Sequence, residues 1–201
     1  MSHYYKYDPS LSDDIHTFNY TFKEHVLKFE TNSGVFSKER VDFGTNVLLN
    51  SLPALDGIKS VLDVGCGVGI IGACIKKAYP NIDMTMIDVN ERCIDLSLKN
   101  LQENGLSAEV YLSDMYEKVN TTFDLIVSNP PIRAGKAKVF EVVDGAYTHL
   151  NQSGSLICVI QKKQGAESLK KHMEEVFGSC EILNKKSGYY ILKSIYSIGK
   201  N

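Results

Sequence analysis

Val61-Leu62-Asp63-Val64-Gly65-Cys66-Gly67-Val68-Gly69 is the stretch that decides the architecture. A short apolar run from Ser60 to Val64 has the character of a buried strand, and it ends in a glycine-rich turn. Ile70, Ile71, Cys74, Ile75 and Ala78 then recur at helical spacing until Pro80 stops the pattern. Strand, glycine turn and helix therefore follow one another in a single unit. Glycines at such a turn let the backbone approach a ligand closely and take positive φ. The spacing departs from the dinucleotide fingerprint, because Ile70 stands where its third glycine would fall. That departure counts against a nicotinamide-dependent oxidoreductase.

Working outward, the same alternation repeats. Met84 to Asp88 predicts the second strand of the unit, and Asn90 is placed to cap a helix carrying Ile94, Leu98 and Leu101, closed by Asn104-Gly105. Further strands are expected over Ala108 to Leu112, Phe123 to Ser128 and Ser155 to Gln161. Helices are expected from about Lys136 to Leu150 and through Leu169, Met173 and Val176. At the end, Cys180 to Leu183 and Tyr189 to Ile195 flank Asn184-Lys185-Lys186-Ser187-Gly188, a loop of hairpin character, so the last pair is antiparallel. The fold class is α/β with a mostly parallel sheet. Ahead of this core, assigned to residues 59–201, Phe18, Tyr20 and Phe22 alternate and Leu27 and Phe29 follow. Residues 1–58 are expected to form a β-hairpin and a helix near Thr45 to Leu52, an extension packed on the core within one structural domain.

Composition narrows the classes. The 201 residues are 43% hydrophobic and 23% charged, which suits a folded globular chain and excludes a disordered one. Lys and Arg number 22 against 24 Asp and Glu, a net charge of −2, so contact with nucleic acid has to use a local basic patch. Cys66, Cys74, Cys93, Cys158 and Cys180 are scattered, with neither a C-x-x-C pair nor a metal-binding segment. Reduced thiols and no metal follow. No apolar run nears the ~20 residues that span a bilayer, so a cytoplasmic protein without membrane contact is expected.

Three further features carry chemistry. Asp88 ends the strand after the glycine turn, where a carboxylate can accept both hydroxyls of a ribose or serve as a helix-proximal cap. Asp114 ends the third strand, suited to accept from an adenine amino group or to act as an ordinary turn residue. Asn129-Pro130-Pro131-Ile132 directly follows a buried strand; two prolines end the ladder, fix φ and remove two donors. The Asn129 side-chain oxygen and the Pro130 carbonyl are acceptors suited to the two hydrogens of an exocyclic amine. As that nitrogen attacks a methyl group its hydrogens become better donors, so fixed acceptors favour the transition state over the ground state.

With these motifs in this order, the chain resembles the class I S-adenosylmethionine-dependent methyltransferases, a Rossmann-like family. The resemblance implies a seven-stranded sheet with an antiparallel last strand and helices on both faces. Within that superfamily it is most similar to the guanine-N2 methyltransferases of small-subunit ribosomal RNA, through Gly34 to Thr45 and through Asn129-Pro130-Pro131-Ile132-Arg133-Ala134-Gly135-Lys136. The resemblance implies that Asp63, Gly65, Cys66, Gly67 and Gly69 shape the cofactor pocket. Asp88 and Val89 would lie at the ribose, and Asp114 and Met115 would flank the adenine. Asn129, Pro130, Pro131 and Ile132 would form the catalytic loop. Ile132 stands where related motifs often carry an aromatic, which makes Phe36 the candidate to stack on the base. Arg133, Lys136, Lys162 and Lys163, with Lys138 and Lys185-Lys186 nearby, form the candidate basic patch for ribosomal RNA or the small subunit. A monomer is expected. The alternatives are methylation of a protein glutamine amide or DNA adenine, or a non-catalytic RNA-binding assembly factor.

Overall fold

The structure, a computed structural model, describes residues 15–32 and 41–198. Strands β1 (Ile15–Phe22) and β2 (His25–Asn32) pair as an antiparallel hairpin. Helix α1 (Phe43–Ser51) follows, and Asp42 caps it by accepting from the Thr45 N–H at 3.0 Å. The core then runs β3 (Ser60–Val64), α2 (Ile70–Ala78), β4 (Asp83–Asp88), α3 (Glu91–Glu103), β5 (Glu109–Leu112) and β6 (Phe123–Ser128). It continues through α4 (Lys136–His149), β7 (Leu150–Gln161), α5 (Ala166–Phe177), β8 (Glu181–Lys186) and β9 (Tyr189–Ile195).

The seven-stranded sheet has the order β5-β4-β3-β6-β7-β9-β8. Pairing is parallel from β5 to β7, whereas β9 runs antiparallel to both β7 and β8. The expected mixed α/β sheet with an antiparallel final strand is thus what forms. Buried on both faces, β3 reads as a continuous apolar run broken only by Asp63. Val61 packs with α1, α2, α3 and the hairpin on one face, and Leu62 and Val64 pack with α4 and α5 on the other.

Local expectations needed revision in three places. The late turn is tighter than a five-residue loop: Lys185 and Lys186 belong to β8, and only Ser187 and Gly188 turn the chain. Both have positive φ, 48° and 80°, which is the type I′ geometry that suits strand twist. Second, β7 begins at Leu150 rather than Ser155. A Cβ on Gly154 would lie 3.0 Å from the Phe123 carbonyl, so the glycine marks close backbone approach to β6 rather than a stop. Third, Leu98 is 47% exposed. The buried face of α3 is Cys93, Leu96, Ser97, Asn100 and Leu101, whose two polar members hide the stripe from a hydrophobicity pattern.

Asn100 explains why that face is polar. Its Oδ1 accepts from the Glu30 N–H at 2.7 Å, and its Nδ2 donates to the Glu30 and Val68 carbonyls at 3.0 and 2.8 Å. One turn on, Asn104 repeats the pattern with the Lys28 N–H and carbonyl at 2.9 and 2.7 Å. The two side-chain amides stand in for a neighbouring strand along the edge of β2, whose backbone groups would otherwise lack partners. Leu27 and Phe29, both fully buried, complete the docking of the hairpin; each such burial contributes ~2–3 kcal/mol.

Replacing Asn100 by Ala should cost about 2–3 kcal/mol, because the Glu30 and Val68 groups lose their partner in a buried setting. Asn104→Ala, at a wetter position, should cost about 1 kcal/mol. Urea unfolding of both variants checks the order; equal losses would refute the bridging role of Asn100.

Candidate functional site

The parallel strands β3, β4, β6 and β7 end at one edge, where the chain reverses its direction across the sheet between β4-β3 and β6. Such a reversal opens a crevice outside the carboxyl ends of the strands. The glycine turn lies there. The Gly65 and Cys66 N–H groups both donate to the Ile87 carbonyl at 2.9 Å. Gly65 and Gly67 have φ of 72° and 57°, and among the described residues nothing stands within 4 Å of where their Cβ atoms would be. Gly69 differs: a Cβ there would lie 2.7 Å from Met86 Cε. Its role is packing of α2 against β4, while the first two glycines leave an open cradle.

Asp63 lies beneath this cradle and is fully buried. Its Oδ2 accepts from the Gly72 N–H at 3.1 Å, whereas Oδ1 has no partner. Burial pushes its carboxyl up to about 7, with Asp88 adding to the rise and the Gly72 bond opposing it. A buried acceptor left without a partner is costly and calls for an explanation beyond stability.

Asp88 accepts from the Gly67 N–H through Oδ2 and from the Asn90 N–H through Oδ1, each at 2.9 Å. It therefore braces the glycine turn and also approaches α3, whose cap is Asn90. A carboxylate has about four lone-pair sites, so acceptor capacity for hydroxyls remains. Val89, half-buried, follows it. Burial pushes the Cys66 thiol well above its ordinary range, which keeps it protonated and unreactive. The Ser97 hydroxyl donates to the Gly67 carbonyl at 2.8 Å, a second brace from α3 that hydrophobic patterning misses.

Asp114 is engaged on one side, its Oδ1 accepting from Lys138 Nζ at 3.0 Å. Met115 has φ of 48°, uncommon for a residue with a side chain, and the Ser113 hydroxyl bonds its carbonyl at 2.8 Å. The half-buried Met115 packs against the α4 and α5 core.

The loop after β6 is built by its prolines. Pro131, at φ −76° and ψ 75°, centres an inverse γ-turn in which the Ile132 N–H donates to the Pro130 carbonyl at 2.9 Å. The turn uses one lone pair of that carbonyl and leaves the other to accept. Ile132 opens a 3-10 turn to Ala134. Asn129 is held from across the chain: its Nδ2 donates to Asp42 Oδ1 at 3.2 Å and to Thr45 Oγ1 at 3.1 Å. Nδ2 thus donates to two acceptors on the cap of α1, which turns Oδ1 to the side away from Asp42 and Thr45. Asp42 and Thr45 were within the quoted Gly34 to Thr45 segment but had no role assigned; a contact spanning 87 positions leaves no periodic trace.

The candidate cations are distributed around this edge. Arg133 is exposed in the 3-10 turn, and Lys136 opens α4 with its Nζ 4.9 Å from the Phe140 ring centroid. Lys162 and Lys163 are exposed in a short turn after β7, where the Lys162 N–H donates to the Gly188 carbonyl at 2.7 Å. Lys138 leaves the patch, since Asp114 and Glu141 hold its ammonium at 3.0 and 2.7 Å. Phe36 lies outside the described residues. Among the described residues no helix is long and apolar enough to cross a membrane, and no three His, Cys, Asp or Glu side chains group to hold a metal ion.

Residues 26–193 match the family model described as methyltransferase small domain. The chain is 42% identical over 197 residues to the uncharacterized protein YbxB of Bacillus subtilis, covering 96% of this chain and 97% of that one. It is 35% identical over 189 residues to the ribosomal RNA small subunit methyltransferase C of Aliivibrio salmonicida, covering 90% of this chain but only 53% of that relative. Among solved structures, a 16S rRNA N2-guanine methyltransferase of T. thermophilus, in complex with AdoMet and guanosine, superposes with a TM-score of 0.80 at 25% identity. That match covers 94% of this chain and 51% of the neighbour, so the chain spans about half the length of both named rRNA enzymes.

The raised Asp63 carboxyl has a defined linkage sign. The native state keeps a proton that the unfolded chain releases near pH 4, so stability falls as pH rises from about 4 to about 7. Relative to the parent, Asp63→Asn should gain stability across that window by roughly 3–4 kcal/mol at ~1.4 kcal/mol per pH unit. Denaturant titration at several pH values, without ligand, tests this; a constant difference would show that folding leaves the proton affinity of Asp63 unchanged.

Proposed function

The chain belongs to the methyltransferase small domain family, and from that membership we propose that it transfers a methyl group from S-adenosylmethionine to the exocyclic N2 of a guanine in small-subunit ribosomal RNA. The observation that carries the reading is the Asn129 amide. With Nδ2 occupied by Asp42 and Thr45, rotation of the amide is blocked and Oδ1 is presented as an acceptor.

The residues of the crevice fit the cofactor. The open side of Gly65 and Gly67 admits it, with Cys66 and Gly69 holding the turn in shape. Asp63 Oδ1 is an acceptor for its ammonium, the remaining lone pairs of Asp88 beside Val89 suit its ribose hydroxyls, and Asp114 with Met115 borders its adenine. When bound, the cofactor supplies a methyl group on a positively charged sulfur.

Asn129 Oδ1 and the free lone pair of the Pro130 carbonyl accept the two N2 hydrogens and align the nitrogen with that methyl group. Positive charge growing on N2 during methyl transfer would be bound more strongly by these two acceptors than the neutral amine is. The N2 proton then leaves to solvent. Pro131 and Ile132 hold the loop rigid through the γ-turn, and Arg133, Lys136, Lys162 and Lys163 offer charge to backbone phosphates. The names of the rRNA methyltransferase of A. salmonicida and of the T. thermophilus enzyme support this substrate class over a protein amide or DNA adenine.

Incubation with labelled S-adenosylmethionine and small subunits reconstituted from unmodified RNA should yield labelled N2-methylguanosine after nucleoside digestion. Label in protein or DNA instead would reject the substrate. Asn129→Ala should lower kcat by about 10²–10³-fold, the range for removing one such stabilising group, with S-adenosylhomocysteine affinity within about twofold of the parent. Thr45→Val, nearly isosteric, should lower kcat about tenfold at little-changed KM, and Thr45→Ser should restore it. Equal turnover in the Val variant would remove Thr45 from the positioning of Asn129.

A further inference from the structure

An aromatic pair stands beside the Asn129 site and takes no part in the chemistry above. Phe43, the first residue of α1, is 42% exposed, and its ring centroid lies 5.3 Å from that of Tyr189 at an interplanar angle of 51°. Asp42, which holds Asn129, immediately precedes it. Tyr189 is pinned by close approach to the helix, since a Cβ on Gly44 would lie 3.0 Å from its Cε1. Among the exposed large apolar side chains of the described residues, Phe43 is the one adjacent to a residue bonded to Asn129.

Lysines border the pair on its β9 side, whereas the Asp42 carboxylate precedes Phe43 on the α1 side. Tyr189 opens β9 and pairs in register with Lys186 on one side and Gln161 on the other. Residues directly opposite in an antiparallel pair project to the same face, so the exposed Lys186 shares the face of Tyr189. Lys185 belongs to the other face, where its Nζ lies 4.4 Å from the Tyr190 ring centroid. Lys162 and Lys163 follow Gln161, and the Lys162 bond to the Gly188 carbonyl holds that turn against the β8-β9 tip.

An exposed aromatic alone means little, but a fixed aromatic pair bordered by lysines beside an amine-binding loop has the make-up of a single-stranded nucleic-acid contact. We propose that Phe43 and Tyr189 form a stacking platform for an unpaired RNA base next to the one entering the Asn129 site, with Lys186, Lys162 and Lys163 on the adjoining phosphates. This rests on the RNA methyltransferase reading and adds a substrate contact to it. Phe43 and Tyr189 already pack against one another and against α1 without RNA, which lowers the entropy cost of a base settling on them.

The test uses filter binding of an unmodified small-subunit rRNA transcript, with calorimetric titration of S-adenosylhomocysteine in parallel. Phe43→Leu should weaken RNA binding about tenfold, Phe43→Trp should retain it, and cofactor-product affinity should be unchanged in both. Lys186→Glu should weaken binding and flatten its salt dependence by about one phosphate contact. Ultraviolet cross-linking of the parent should place the RNA adduct on the peptide containing Phe43 or Tyr189. RNA affinity within twofold of the parent in both Phe43→Leu and Lys186→Glu, with the parent methylating the transcript, overturns the platform alone. A parent that binds S-adenosylhomocysteine yet neither binds nor methylates the RNA overturns the functional reading and the platform with it.

Discussion

Parallel pairing of β3 with β4 on one side and β6 on the other is the constraint from which the crevice follows. After β3 the chain crosses through α2 on one face of the sheet, and after β6 it crosses through α4 on the opposite face. The two helices diverge above the strand ends, and the gap between them is where a ligand can meet backbone and side chains together. Register does the rest: Asp63 lies opposite Met86 and Val127, so the ends of the three strands stand level. Gly65, Gly67, Asp88 and Asn129 converge because each lies at or within three residues of such an end.

Side-chain amides tie peripheral elements to this edge. Asn100 bonds the hairpin and the Val68 carbonyl at once, so the glycine turn is braced by a residue that also docks β2. Asn129 is braced in turn by the cap of α1. These contacts are polar and directional, which sets orientation more sharply than apolar packing does. They also place polar groups where a purely stable core would have none, as does the orphaned oxygen of Asp63. Departures from local consistency concentrated in one crevice are what a functional site produces.

Much of the sheet was legible because its cues are local. β3 and β6 have the ends expected from apolar runs closed by glycine or proline, and α2 begins and ends where its helical spacing does. Asn90 caps α3 as its residue type suggests. Leu98 was misplaced because two polar residues share the buried face of α3: Ser97, which bonds the Gly67 carbonyl, and Asn100, which bonds the hairpin edge. Lys138 was counted as a free cation because its Asp114 partner lies 24 positions away. The bond from the Ile132 N–H to the Pro130 carbonyl was not legible, because an inverse γ-turn around Pro131 has no signature beyond the prolines themselves.

By itself the sequence determined the strand-glycine-helix unit, the mixed α/β sheet, and the chemical types at the crevice. Those depend on the conformational limits of glycine and proline and on hydrophobic periodicity, which act over a few residues. Only the tertiary structure decided which way the Asn129 amide faces, which lysines keep their charge free of carboxylate partners, and that Phe43 stands against Tyr189. Each of these depends on a contact between distant parts of the chain, such as the 84 positions from Thr45 to Asn129. Such contacts arise only when the sheet order brings the elements together.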